Sequence, residues 1–324
     1  MELVDWILNN SKRLSLNVEK YRWIDEWLPG YFDYAVEIII QGIKYRGRGV
    51  DKIEKIAFEK ACAESLERAS TDLNNLCQNR WGTAAYINLP GARERAYWEL
   101  LGIDKVLCHH FCKRKMKAIP IDILSEYVDI LRLNRLLVKN NISFRFYELS
   151  PVIDAKIVCA ISHKQDSEIK GFISGFGANK DIKKACLSAL FESLRTLVVC
   201  FFDNYKLDKP MEQLRKEGQP LWHFCKAQEK ESLDYLNTYL IPDKEETVLL
   251  IPENISIDDV KFKELSYIKG IFPDIPLFFV QAKSDKLLTP QFGDFLPDEK
   301  TMKRLEIFNG GPVQISTSVP HFYG

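Results

Sequence analysis

GRGVDKIEKIAFEKACAESLER, from Gly47 to Arg68, is followed by GTAAYINLPGARERAYWELLGI, from Gly82 to Ile103, and by GFGANKDIKKACLSALFESLRT, from Gly175 to Thr196. The three stretches align without a gap. Each opens with Gly-x-Gly or Gly-x-Ala: Gly47 and Gly49, Gly82 and Ala84, Gly175 and Gly177. Ten residues after the first glycine comes an alanine (Ala57, Ala92, Ala185), and four further on a second (Ala61, Ala96, Ala189). Three further on is a glutamate: Glu64, Glu99 and Glu192. On a helix, spacings of four and then three return to one face. Each copy therefore carries Ala, Ala and Glu along a single stripe, and the two alanines let another backbone come close. The glycine pair reads as a turn just ahead of the helix, where open N–H groups and the helix dipole favour anions. A solvated glutamate on a duplicated packing helix would explain any one copy. Three copies with Glu at the same offset point instead to converging carboxylates, which suit hard cations such as Mg²⁺ and, through them, polyphosphate.

Around these stretches, helical and strand patterns mix without strict alternation. Amphipathic periodicity marks helices around Asp51 to Cys77, Ala92 to Cys112, Ile121 to Val138, Asp181 to Phe202 and Gln228 to Leu240. Strand-like runs are VEIII (Val36 to Ile40), ISFRFYEL from Ile142, AKIVCAISH from Ala155, IKGFISGF from Ile169 and TVLLI from Thr247. No nucleotide-binding βαβ signature occurs, which favours an α+β fold. The stretch from Pro210 to Leu240 reads as mostly helical and polar. The closing FNGGPVQISTSVPHFYG reads as an irregular tail. No low-complexity linker divides the chain, so one domain over residues 1–324 is expected, with the motifs in 47–205 and a helical and irregular part in 206–324.

The 324 residues carry 45 Lys plus Arg against 45 Asp plus Glu, a balance that excludes the basic surface of a bulk nucleic-acid binder. The longest apolar runs, near Leu197 and Leu249, are too short to span a bilayer. The start lacks a signal-peptide pattern, and eight cysteines without one read as reduced thiols, so a cytoplasmic protein is expected.

The repeated segments resemble the YcaO family, whose glycine-led helices end in Glu-x-x-Glu-Arg, Glu-x-x-Glu-Arg and Glu-x-x-Gln. The resemblance spans Gly47 to about Phe202 and continues weakly through QPLWHFCKAQ. It implies a YcaO-like α+β fold of repeated glycine-led helices packed with β-sheet. It also implies ATP-dependent activation of a peptide backbone amide, giving azoline, amidine or thioamide products. Carried over by position, the cofactor-binding residues are Glu64, Glu67, Arg68, Glu99, Glu192 and Arg195. Glu64, Glu67, Glu99 and Glu192 would serve as Mg²⁺ ligands. ATP and Mg²⁺ are the implied cofactors. The implied partners are a precursor peptide and a partner protein of the same pathway or a second copy of the chain. The sequence departs from the pattern at Gly102 and Ile103, where the family has Glu and Arg, and at Arg195, where it has Gln. Arg80 and Trp81 stand in place of the Ser-Asn lead-in to the second glycine, and of the Pro-rich end only Pro320 remains. An enzyme of this chemistry and a catalytically degenerate scaffold or peptide-binding subunit are therefore the two readings.

Other motifs are weaker. Cys108 and Cys112 bracket His109 and His110 one helical turn apart, a possible Zn²⁺ pair or a helix end with one buried cysteine face. His223, between aromatics, reads as a hydrogen-bonded histidine of the interior. Cys62 and Cys186, each next to a repeat alanine, read as small core residues.

Overall fold

The computed structural model describes residues 2–74, 81–164, 170–202, 209–243, 246–294, 296–315 and 319–322, with the backbone alone for 198–202. In chain order its first elements are α1 (Leu3–Asn9), β1 (Asn17–Lys20), α2 (Trp23–Trp27), β2 (Phe32–Ile40), β3 (Ile43–Asp51), α3 (Glu54–Leu73), β4 (Thr83–Tyr86) and α4 (Leu89–Phe111). Next come β5 (Lys117–Ile119), α5 (Val128–Lys139), β6 (Ile142–Glu148), β7 (Lys156–Lys164), β8 (Ile173–Asn179) and α6 (Ile182–Phe202). The remainder holds α7 (Met211–Lys216), α8 (Pro220–Ala227), α9 (Lys230–Tyr235), β9 (Lys261–Glu264), α10 (Tyr267–Ile271), β10 (Phe278–Lys283) and α11 (Glu299–Asn309). The class is α+β, with every named strand pair antiparallel.

The chain divides into two compact units, Met1–Glu99 with Val260–Lys283 and Leu100–Asp259 with Ser284–Gly324. In the first, β2 and β3 form a hairpin closed by Gln41 and Gly42, both at positive φ (53° and 79°). Two left-handed residues give the turn whose twist matches that of the flanking strands. The sheet order is β1-β2-β3, so β3 is an edge. Helix α3 lies on this sheet and shares its core with α1 and α10 through Trp6, Ile38, Leu66, Phe272 and Phe279. Trp6 meets Phe272 edge to face at 5.4 Å. A second sheet, ordered β4-β10-β9, leaves β4 at its edge.

In the second unit a four-stranded meander, ordered β5-β6-β7-β8, carries α6. Its strand β8 is again an edge. Helix α11 begins at Asp298, whose side chain accepts the Thr301 N–H (2.8 Å), and ends at Gly310 in the left-handed region (φ 72°). Those are standard start and stop residues.

Two expectations need correction. The TVLLI run is not a strand: Thr247 to Ile251 has no assigned secondary structure, and Leu249 is largely exposed. Strand propensity alone is insufficient without a neighbour to supply the ladder. The glycine pairs are not turns: Gly47 and Gly49 lie within β3, and Gly175 and Gly177 within β8. Ile169, the first residue of the IKGFISGF run, falls outside the described residues.

Candidate functional site

The glycines sit in strands because a helix backbone occupies the space a side chain would need. A Cβ at Gly47 would come within 3.0 Å of the backbone of Ala61, Glu64 and Ser65, and one at Gly49 would overlap Ala57 and Ala61. In β8, Gly175 meets Ala189 and Ser193 in the same way, and Gly177 meets Ala185 and Ala189. The alanine stripe of each helix thus faces the glycine pair of the preceding strand. Both sides of the contact are reduced to backbone and methyl groups.

At this distance the repeat glutamate reaches around the strand edge. Glu64 Oε2 accepts the backbone N–H of Arg48, the residue between Gly47 and Gly49, at 2.8 Å. Glu192 Oε2 accepts the N–H of Phe176, between Gly175 and Gly177, at 2.5 Å. An unpaired edge amide is a liability that proteins cover, and here a carboxylate covers it. Of the amides in the two glycine pairs, those of Arg48 and Phe176 are accordingly taken by carboxylates.

The second copy is built differently. Ala84 replaces the second glycine on β4, and Gly82 is at φ 68°. The carboxylate on β4 comes from α3: Glu67 Oε2 accepts the Ala85 N–H at 2.8 Å. Loss of hydration, then the charge of Glu64, pushes the Glu67 carboxyl up to about 8, while the amide and Arg68 pull the other way. Glu64 Oε1 accepts from Arg68 at 2.7 Å, one turn along the helix. The first unit therefore brings Glu64, Glu67 and Arg68 together beside two sheet edges. Glu99, half-buried on α4, belongs to this unit. Glu192 and Arg195, on α6, belong to the second.

Gly102 and Ile103 are buried, so no charged group occupies the positions where the resemblance calls for Glu and Arg. Asp104 is not a substitute ligand. It is fully buried and accepts from Arg304 through both oxygens, Nε to Oδ1 at 2.9 Å and Nη2 to Oδ2 at 2.5 Å. Glu253 bridges Arg304 (2.7 Å) and Lys105, and Asp104 also accepts the Leu288 N–H. These partners, 51 to 200 residues apart, left no mark in any local pattern of the sequence.

The Cys108 to Cys112 motif is the end of α4, and its histidines hold backbone. His109 donates from Nδ1 to Arg114 O (2.9 Å) and accepts the Ser150 N–H at Nε2 (2.9 Å). His110 donates from Nε2 to Val319 O at 3.0 Å. His223 donates from Nδ1 to His321 O and accepts the Gly293 N–H at Nε2. Ser174 donates to Phe322 O at 3.0 Å, so the segment from Val319 to Phe322 is held through the carbonyls of Val319, His321 and Phe322. Beside it lies a cavity of about 570 Å³ lined by Phe111, Arg215, Trp222, Lys226, Ser232 and Ile315 among others. Among the described residues no group of three or more His, Cys, Asp or Glu could hold a metal ion. Cys62 and Cys186 are buried free thiols, as are the other buried cysteines of the described residues.

The neutral imidazoles predict acid sensitivity. Burial pulls His109 and His223 down to about 4 and His110 to about 3. Between pH 6.5 and about 4 the unfolded chain binds protons that the folded chain refuses. Stability must then fall as pH falls, by up to about 1.4 kcal/mol per pH unit for each imidazole. Glu67, raised to about 8, acts in the opposite sense between about 4.5 and 8 and offsets one of the three. Melting temperature followed from pH 7 to 5 should drop, and His223→Gln should flatten that slope. A pH-independent melt would contradict the neutral, backbone-bound assignment.

No family model matches the chain, and no curated protein matches it. Among solved structures it is similar to a heterocyclase in complex with substrate and cofactor, with a TM-score of 0.67 at 13% identity. That match covers 99% of this chain and 57% of the heterocyclase, so the chain spans little more than half the length of that protein. YcaO from Methanopyrus kandleri, bound with AMPPCP and Mg²⁺, is matched with a TM-score of 0.60 at 14% identity, covering 90% of this chain and 94% of that one. A chain of the E. coli microcin synthetase McbBCD complex is matched at 0.59 and 11% identity, covering 91% and 95%. These likenesses place the α+β architecture described above among known folds. The chain has the fold of YcaO proteins. Among the described residues no helix is long and apolar enough to cross a membrane.

Proposed function

We propose that the chain works in the modification of a ribosomally made peptide, binding ATP with Mg²⁺ and activating a backbone amide of the peptide. The observation that carries this reading is the intact first motif: Glu64, Glu67 and Arg68 gathered beside two sheet edges in a YcaO fold. Two neighbouring carboxylates, Glu64 and Glu67, are the part of a cation site that α3 supplies in this reading. Glu67 loses hydration and sits close to the charge of Glu64, and a cation relieves both penalties. When bound, Mg²⁺·ATP supplies the phosphoryl group that makes an amide oxygen a leaving group. In this reading Glu64 and Glu67 hold the cation and Arg68 offsets phosphate charge. Glu99, Glu192 and Arg195 are assigned to the same ligands on the resemblance. A precursor peptide is the proposed substrate, with a partner protein or a second copy completing the assembly in the cytoplasm. The solved microcin synthetase complexes, one with pro-MccB17 bound, support the idea of partners.

A second reading, a scaffold or peptide-binding subunit, is favoured by one specific observation: buried Gly102 and Ile103 leave the second motif without a second carboxylate or a guanidinium. Calorimetric titration with Mg²⁺·ATP separates the two. The enzyme reading expects binding that Glu67→Gln weakens at least about tenfold, as is usual when a metal site loses a supporting group. Absence of binding by the chain, alone and with its peptide or partner, would favour the scaffold.

A further inference from the structure

Val319 to Phe322 belong to no helix or strand, yet three of the four residues are buried. The second unit takes hold of them through side chains that bond backbone carbonyls. His110 donates from Nε2 to Val319 O (3.0 Å), His223 from Nδ1 to His321 O (2.9 Å) and Ser174 from Oγ to Phe322 O (3.0 Å). The Phe322 ring lies among three others: Phe172 at 5.5 Å, Phe176 at 5.9 Å and the His110 imidazole at 5.9 Å. We propose that these donors and rings form a groove for an extended peptide with an aromatic side chain, that Val319–Phe322 fills it in cis, and that a peptide of the same character takes its place in trans. The inference rests on the reading that the chain acts on a peptide, and it adds where in the second unit the peptide is held.

Strand geometry and sequence explain the groove. Side chains alternate along β8, so Gly175 and Gly177 turn to α6 while Ser174 and Phe176 turn to the opposite face. Phe322 meets that face, bonded to Ser174 and stacked on Phe176 at an interplanar angle of 27°. Pro320 has no N–H to offer and disfavours helical backbone at Val319. A segment of this kind presents carbonyls, and the groove answers with donors. Extended proline-containing segments are recognised by the same physics on aromatic-lined surfaces. His223 is poised for the task, because its Nε2 accepts the Gly293 N–H and the proton is thereby fixed on Nδ1. Since the segment lies in no sheet, its departure breaks no ladder. Beside it is the cavity of about 570 Å³, whose wall includes Val319 and Pro320 next to Phe111 and Trp222. That is room for the flanking residues of a longer peptide. Phe176 also gives its N–H to Glu192, so the groove adjoins a carboxylate assigned above to nucleotide.

The probe is the blocked, fluorescently labelled tetrapeptide Val-Pro-His-Phe, the sequence of residues 319–322, followed by anisotropy on the full chain. In the unchanged chain the tethered copy competes at an effective concentration on the order of millimolar, so the probe should bind weakly. Phe322→Ala withdraws the competing ring, and the probe should then bind at least about tenfold more tightly, the worth of one buried anchor. Ser174→Ala added to that variant should take back about threefold, the worth of one hydrogen bond. The control peptide Val-Pro-His-Ala should show no gain. A folded Phe322→Ala chain that binds the probe no better than the unchanged chain would overturn the groove. If that variant fails to fold, the unchanged chain decides. A probe with benzoylphenylalanine in place of its Phe, in large excess, should form photo-adducts within Phe172 to Phe176. Adducts only elsewhere, or none, would overturn the groove. Titration with Mg²⁺·AMPPCP is done on the same samples. Nucleotide binding without peptide in the groove would sink the groove alone and leave the proposed function standing. Peptide in the groove of a chain that binds no nucleotide would uphold the groove and move the chain to the scaffold reading.

Discussion

Arg304→Ala should lower the stability of the chain by about 3–5 kcal/mol, the cost of breaking a buried ion network from one side. The guanidinium is almost wholly buried and bonds both oxygens of Asp104 and both of Glu253. Removing it strands Asp104, which has no exposure, with Lys105 at 3.4 Å as its remaining cation. Arg304 and Lys105 hold the Asp104 carboxyl below its ordinary range against the pull of burial. Without Arg304 the group must either stay charged in an apolar setting or take up a proton. Urea unfolding should show a lower midpoint with an unchanged slope. Arg304→Lys should fall between, because an ammonium cannot supply the planar fork that meets two carboxylates at once. A loss below about 1 kcal/mol for Arg304→Ala would mean that water enters and solvates the network.

Gly175→Ala should be comparably severe, at more than about 3 kcal/mol, because the added methyl collides with backbone and not with a side chain that can turn away. To admit it, α6 must lift from β8, which breaks the bond between Glu192 and Phe176 and opens the alanine contact behind it. Gly47→Ala should behave alike against α3. Gly102→Ala is the internal control. It lies inside α4 with nothing within 4 Å of the added carbon, so it should gain about 0.5–1 kcal/mol from helix propensity. Chemical denaturation of the three variants checks the series. Equal effects at Gly102 and Gly175 would mean that propensity, and not close approach, governs these glycines.

The helices were legible because burial imposes a period on them: Ala57, Ala61, Ala185 and Ala189 are wholly buried, as their spacing implied. The strands around them were less so. Gly47 and Gly49 weaken strand propensity, so the pair reads as a turn. What keeps the pair in β3 is a helix pressed against it, a tertiary cause that local composition does not carry. β1 and β9 are short and carry mostly charged or exposed residues, so they show no apolar alternation. Helix α11 had a readable start at Asp298 and a readable stop at Gly310, but its polar surface hid it beside the tail. At the candidate site, the offset of Glu64 and Glu192 was visible, while their strand partners were not, since a backbone amide has no letter in a sequence. That Glu67, outside the aligned trio, would bond β4 was equally hidden.

The contact between strand glycines and helix alanines also bears on how such a chain drifts. In β3 with α3, and again in β8 with α6, the geometry fixes two glycines, two alanines and one glutamate. The contact itself sets no requirement on the side chains between them. A chain held this way can change most of its other letters and keep its fold, and here a likeness of fold is found at 13% identity across 99% of the chain. Comparison of shapes reaches it where comparison of letters does not.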